Sequence, residues 1–116
     1  MRSNSHEGLR VLPLSEEYDL SRFCSTNAEL NDFLNNDALT SQDVLISRTY
    51  LCYRGESLVG FLTLVTDTIE VKLVEASDGV DGYQYSRYPC IKIARVAVDR
   101  EYTGKGIGRF LLLWAV

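Results

Sequence analysis

Histidine is almost absent from this chain. The only one, His6, stands in the polar stretch from Met1 to Gly8. With that one in an expected tail, no usable histidine is left to build a Ser-His-Asp or Cys-His device, which disfavours covalent catalysis. Cysteine is sparse as well: Cys24, Cys52 and Cys90 are odd in number and far apart. That spacing does not suit zinc, and it argues for free thiols in a reducing, cytoplasmic setting. No apolar run reaches membrane-spanning length, so no membrane partner is expected. The first residues lack the apolar core of a signal peptide and read as a flexible tail over residues 1–8. Proline occurs only at positions 13 and 89, and neither an internal repeat nor a low-complexity tract is visible.

What is present is ordinary globular material. The 116 residues are 46% hydrophobic and 24% charged, the range of a single folded domain with a modest core. The formal net charge of −4 is unevenly spread. Residues 1–86 carry 6 basic and 14 acidic side chains, and residues 87–116 carry 6 basic and 2 acidic ones. An acidic majority is a poor footprint for nucleic acid, whereas the basic final portion suits a small anionic ligand.

In chain order, Leu9 to Leu12 alternates as a first strand that Pro13 should stop. Glu16 to Ser21 reads as a loop or short helical turn. Thr26 with Glu29 three residues on makes a capping-box pattern. It opens a helix from Ala28 to Leu39 with Leu30, Phe33, Leu34 and Ala38 on its apolar face. Asn35, Asn36 and Asp37 fall on the solvated side. Arg48 to Arg54 is a strand with Tyr50, Cys52 and Arg54 on one face and Thr49, Leu51 and Tyr53 on the other. Gly55 and Glu56 turn the chain, and Leu58 to Thr66 returns it as a hairpin. Beyond that, Ile69, Val71 and Leu73 alternate as more strand, with a short helix as the other option. Asp78-Gly79 and Asp81-Gly82 mark a loop, and Pro89 should end any helix before the next strand.

The stretch that organises the rest runs from Ile91 to Arg109. Ile91 to Val98 is β-branched and reads as a largely buried strand. A polar link, Asp99 to Tyr102, leads to Thr103 and then to glycines at 104, 106 and 108, with an apolar helix from Phe110 to Val116 behind them. The first N–H groups of a helix have no partner inside it and carry the positive end of its dipole. Glycines let a phosphate approach that backbone, so the arrangement suits an anion site, with Lys105 and Arg109 adding charge. A tight turn with no ligand is the plainer reading. Two other phosphate loops fail here: position 99 is not glycine, as a Walker loop would need, and position 109 is arginine where the dinucleotide fingerprint needs glycine. The last helix is apolar all round and expects burial on several sides. Its exposed faces would promote association of copies.

Arg95 to Asp99, the short link, and Gly104 to Leu112 together resemble the acyl-coenzyme A loop of GNAT N-acetyltransferases. Thr103 stands where that family has Gln or Arg. Phe23-Cys24 and Glu29 to Leu34 resemble the first helix of the branch that includes the tRNA-acetylating toxins. The resemblance implies an α/β fold with a mixed, mostly antiparallel sheet flanked by helices, over residues 9–116 and lacking its C-terminal portion. It implies acetyl-coenzyme A as co-substrate and direct attack of an amine on the thioester. Backbone groups of Val96, Ala97 and Val98 would hold the pantetheine arm and polarise the thioester carbonyl. Thr103, Gly104, Lys105, Gly106, Ile107, Gly108 and Arg109 would take the pyrophosphate. The acceptor is open between a small molecule, a protein and charged tRNA. Apart from the resemblance, association through the apolar last helix makes a homodimer one expected assembly. A non-catalytic coenzyme A-binding or protein-interaction module is the alternative, and a phosphate- or nucleotide-binding domain of another kind is a third. No catalytic acid or base is assigned, because the tyrosine that often serves lies beyond the loop helix. Tyr83, Tyr85, Tyr88, Glu70 and Glu75 are candidates to line an acceptor site. Arg95, inside an apolar strand, reads as well as a paired structural arginine.

Overall fold

The computed structural model describes residues 8–73 and 84–116. Residues 1–7 of the expected tail over 1–8 and the expected loop at Asp78-Gly79 and Asp81-Gly82 lie outside that description, as do Glu75 and Tyr83. Four antiparallel strands form one sheet in the order β1-β2-β3-β4: β1 Leu9–Pro13, β2 Ser47–Arg54, β3 Ser57–Leu73 and β4 Gln84–Val98. Two short helices, α1 (Ala28–Asp32) and α2 (Ala38–Asp43), are joined by a π-helical turn over Phe33–Asp37. The last helix, α3, spans Ile107–Ala115. The expected α/β architecture is therefore present, and the described sheet is antiparallel throughout.

The sheet has two covered faces, and strand alternation decides which residue goes to which. Leu51, Tyr53, Phe61 and Ala97 pack with Phe23, Phe33, Leu34 and Ala38, so the π-helical turn and α2 cover that face, with the half-buried Leu30 of α1 against its margin. Cys52, Val59 and Leu62 pack with Ile107 and Leu111 of α3 on the other. The alternation expected for β2 is thus observed, as is the apolar face of the first helical segment. Asn35, Asn36 and Asp37 are exposed, also as expected.

Several expected boundaries shift for identifiable reasons. The helix N-cap is Asn27 and not Thr26: its side chain accepts from the N–H groups of Glu29 and Leu30 at 2.9 and 3.2 Å. Helical structure continues past Leu39 to Asp43. β1 ends at Pro13, as expected, with the proline as its last residue, whereas Pro89 lies within β4 and does not precede it. Both strands are sheet edges, where a missing N–H costs no ladder bond. Ile69, Val71 and Leu73 belong to β3, which pairs with β4 as far as Leu73 opposite Gln84. The final helix begins at Ile107, so Ile107 and Gly108 are its first turn and not loop.

Two irregularities shape the ladder near the end of β4. Val59 is an extra residue in β3 between the pairs Tyr53 with Leu58 and Cys52 with Gly60. Ala94 is an extra residue in β4 between Arg95, opposite Thr63, and Ile93, opposite Leu64. Bulges bend and twist a strand locally, and the second lies immediately before Arg95 and Val96.

Candidate active site

The site is built where β4 gives way to α3. Asp99 donates its N–H to the Val59 carbonyl at 2.8 Å. Residues opposite one another in an antiparallel pair alternate between bonded and non-bonded positions. Ala97, opposite Phe61, therefore faces β3 like Asp99. Val96 and Val98, opposite Leu62 and Gly60, turn their N–H and C=O groups to the open edge. Of the three strand residues expected to hold a ligand through the backbone, Val96 and Val98 present theirs at the edge and Ala97 is in the ladder. All three side chains pack into the faces: Ala97 joins the α1/α2 core, and Val96 and Val98 join the α3 core.

The glycine loop turns through two left-handed positions. Gly104 has φ +78° and Gly106 φ +81°, a left-handed region that costs other residues roughly 1–2 kcal/mol. Gly106 is the N-cap of α3, and its carbonyl accepts the first intrahelical bond, from Phe110 N at 2.9 Å. The N–H groups of Ile107, Gly108 and Arg109 consequently emerge at the helix N-terminus without intrahelical partners. Lys105 and Arg109 are exposed beside them. Thr103 is also exposed, its hydroxyl donating to the Arg100 carbonyl at 3.2 Å. Gly108 differs from its two neighbours: a Cβ there would meet only Val98 Cγ2 at 3.6 Å, so it is not needed for its conformation. Ile107 and Leu111, 1% and 0% exposed, anchor the helix on the sheet.

Asp99 fixes the entry to this loop. Its carboxylate accepts from Cys24 N at 3.0 Å and Glu101 N at 2.9 Å, and the next N–H, from Arg100, donates to the Cys24 carbonyl at 2.8 Å. The segment before α1 is in this way clamped to the segment before α3. Cys24 is continuous with a second network, in which Asn31 Oδ1 accepts from Ser25 N and Ser25 Oγ, both at 2.8 Å. Asp99 was legible as part of a motif, but its clamp role was not. Asp99→Ala would leave two amides without partners in a region where Asp99 itself is 7% exposed. We expect a loss of about 1–3 kcal/mol in urea unfolding, with Asp99→Asn losing less.

The remaining candidates are dispersed. Tyr88 is 51% exposed on β4, away from the glycine loop, and Glu70 and Tyr85 are placed only by backbone, in the outer β3–β4 ribbon. Arg95 is half-buried with its Cζ 3.8 Å from the centre of the Phe33 ring. All three cysteines are free. Burial pushes the Cys52 thiol up to about 11, so it is protonated and poorly nucleophilic at neutral pH. Among the described residues no group of His, Cys, Asp and Glu could hold a metal ion, and no helix is long and apolar enough to cross a membrane.

Residues 14–116 match the acetyltransferase (GNAT) family, and the chain belongs to that family. It is 31% identical over 103 residues to a tRNA-acetylating toxin of Mycobacterium tuberculosis, covering 89% of this chain and 61% of the relative. Its fold resembles AtaTR bound with AcCoA, with a TM-score of 0.79, 26% identity, and coverage of 94% of this chain and 66% of the other. It also resembles AtaT complexed with acetyl-methionyl-tRNAfMet, with a TM-score of 0.72, 26% identity and coverage of 92% and 66%. The chain thus spans a little under two thirds of the length of these relatives.

Proposed function

We propose that this chain, over residues 9–116, is the cofactor-binding domain of an acetyl-coenzyme A-dependent N-acetyltransferase. The observation that carries the reading is one continuous backbone track. It runs from the edge-facing N–H groups of Val96 and Val98 through the left-handed turns at Gly104 and Gly106 to the open N-terminus of α3. On this reading the edge groups hold the pantetheine arm and polarise the thioester carbonyl, where negative charge develops during attack. Thr103 to Arg109 take the pyrophosphate by helix dipole, N–H donation and the charges of Lys105 and Arg109. The amine attacks the carbonyl carbon directly, the C–S bond breaks, coenzyme A leaves as its thiol or thiolate, and the amine loses a proton. A solved neighbour carries acetyl-coenzyme A, which supports the choice of co-substrate.

For the acceptor we favour the α-amine of an aminoacyl-tRNA, because the relatives named above are a tRNA-acetylating toxin and a protein solved with an acetylated aminoacyl-tRNA. The three free thiols favour the cytoplasm. A homodimer remains part of the proposal, since α3 exposes Leu112, Leu113 and Trp114. The direct test is calorimetry with acetyl-coenzyme A. Saturable binding at one site per chain is the expected result, and no binding would overturn the reading.

A further inference from the structure

We propose that Arg95 is the anion-binding residue of the acceptor side, holding a phosphate or carboxylate of the acceptor while its amine meets the thioester. The inference rests on the acetyltransferase reading above and names a residue that reading does not use.

The environment of Arg95 is unusual for a structural arginine. It lies on an edge strand, opposite Thr63 and one residue past the Ala94 bulge. Among the described residues its guanidinium has neither a hydrogen bond nor an ion pair, and the one specific side-chain contact is the Phe33 ring. The hydroxyl of Thr63, the residue opposite, is engaged with Thr49 Oγ1 at 2.8 Å, and both residues are fully buried. A half-buried guanidinium with five N–H donors and no protein acceptor is satisfied only by water or by a ligand.

Its guanidinium nevertheless rests on an aromatic platform. The Phe33 ring stacks on Phe61 at 6.4 Å and 26°, and it also supports the Arg95 guanidinium at 3.8 Å. Phe33 opens the π-helical turn, whose i to i+5 bond runs from Ala38 N to the Phe33 carbonyl. Such turns inside α-helices are frequent at functional sites. A cation supported on an aromatic face keeps its charge while losing conformational freedom, which suits planar recognition of carboxylate or phosphate.

Its position fits the reaction. Strand alternation sends the Arg95 side chain to the α1/α2 face, with Ala97, while Val96 and Val98 pack toward α3. The glycine loop and α3 start from the opposite face. Cofactor and acceptor then reach the β4 edge from its two sides, and an anion held at Arg95 sits one residue along the strand from the N–H of Val96.

The test compares wild type, Arg95→Gln and Arg95→Lys with three acceptors: an aminoacyl-tRNA, the free amino acid, and its methyl ester, which has an amine and no anion. Thiol release gives kcat and KM, calorimetry gives the Kd for acetyl-coenzyme A, and thermal melts check folding. Arg95→Gln should lower kcat/KM for an anionic acceptor by about 10- to 100-fold, mainly through KM. It should leave the ester within about 2-fold and the acetyl-coenzyme A Kd unchanged, and Arg95→Lys should recover part of the loss. Loss with the aminoacyl-tRNA alone identifies a phosphate, and loss with the free amino acid identifies a carboxylate. Equal losses with all three acceptors, or no loss with any, would overturn the inference while the acetyltransferase reading stands. Failure of the wild type to bind acetyl-coenzyme A would overturn that reading and the inference with it.

Discussion

Gly106→Asp is expected to abolish detectable acetyl-coenzyme A binding while leaving the fold intact. Gly106 has φ +81° and caps α3, and Asp is among the few non-glycine residues that visit this region. The stability change should stay within about 1–2 kcal/mol for that reason. The effect on binding is of a different size, because a carboxylate would then stand among the N–H groups of Ile107, Gly108 and Arg109 that the pyrophosphate needs. It would compete for those donors and repel the incoming anion, and we expect affinity to fall by at least about 100-fold, roughly 2.7 kcal/mol. Gly106→Asn separates charge from shape, since it tolerates the same backbone without the negative charge, and its loss should be much smaller. Calorimetry on the three proteins decides this. Affinities equal to wild type in Gly106→Asp would remove the loop from the cofactor site.

The second large effect is expected in the core and concerns Gly60. This residue lies in β3 beneath α3. A Cβ there would stand 3.0 Å from the Ala97 carbonyl oxygen, 3.1 Å from Leu111 Cδ1 and 3.3 Å from Ile107 Cγ2. The first of these is backbone of the neighbouring strand and cannot rotate away. Gly60→Ala should cost about 1–3 kcal/mol as overpacking, less a few tenths recovered because alanine restricts the unfolded chain. Gly60→Val would push α3 from the sheet and uncover Ile107 and Leu111, each worth about 1.5–3 kcal/mol of burial. That sum approaches the whole stability of a small domain. We expect Gly60→Val to lose its cooperative melt or to be insoluble. Because α3 carries the glycine loop, Gly60→Ala should also weaken acetyl-coenzyme A binding although it lies outside the loop. A wild-type melting curve for Gly60→Val would mean that α3 is not seated as described.

The isolated glycine in an apolar strand was the one sequence signal for this close approach, since such a residue often marks a bulge or a backbone contact. Both are present: Val59 is the bulged residue and Gly60 makes the contact. The Asp99 clamp had no comparable signal. Its partner Cys24 is 75 positions away, and nothing in either local sequence names the other.

What the amino-acid order determined by itself was the set of features encoded within a few residues. The split of β2 into Thr49, Leu51 and Tyr53 on one face and Tyr50 and Cys52 on the other follows from the two-residue repeat of a strand. The burial of Phe33, Leu34 and Ala38 follows from the helical repeat. The turn at Gly55 and the left-handed positions at Gly104 and Gly106 follow from the sterics of a residue without Cβ. The tertiary structure alone decided everything that depends on which segments become neighbours. Pro13 and Pro89 are accommodated in strands because β1 and β4 are edges, and edge status belongs to the sheet. Val96 and Val98 face outward and Ala97 inward because the cross-strand register settles which N–H groups a ladder consumes. Arg95 rests on Phe33 because a π-turn and a bulge on two distant segments bring a ring beneath a guanidinium, and such pairings are selected by the packing of the whole core.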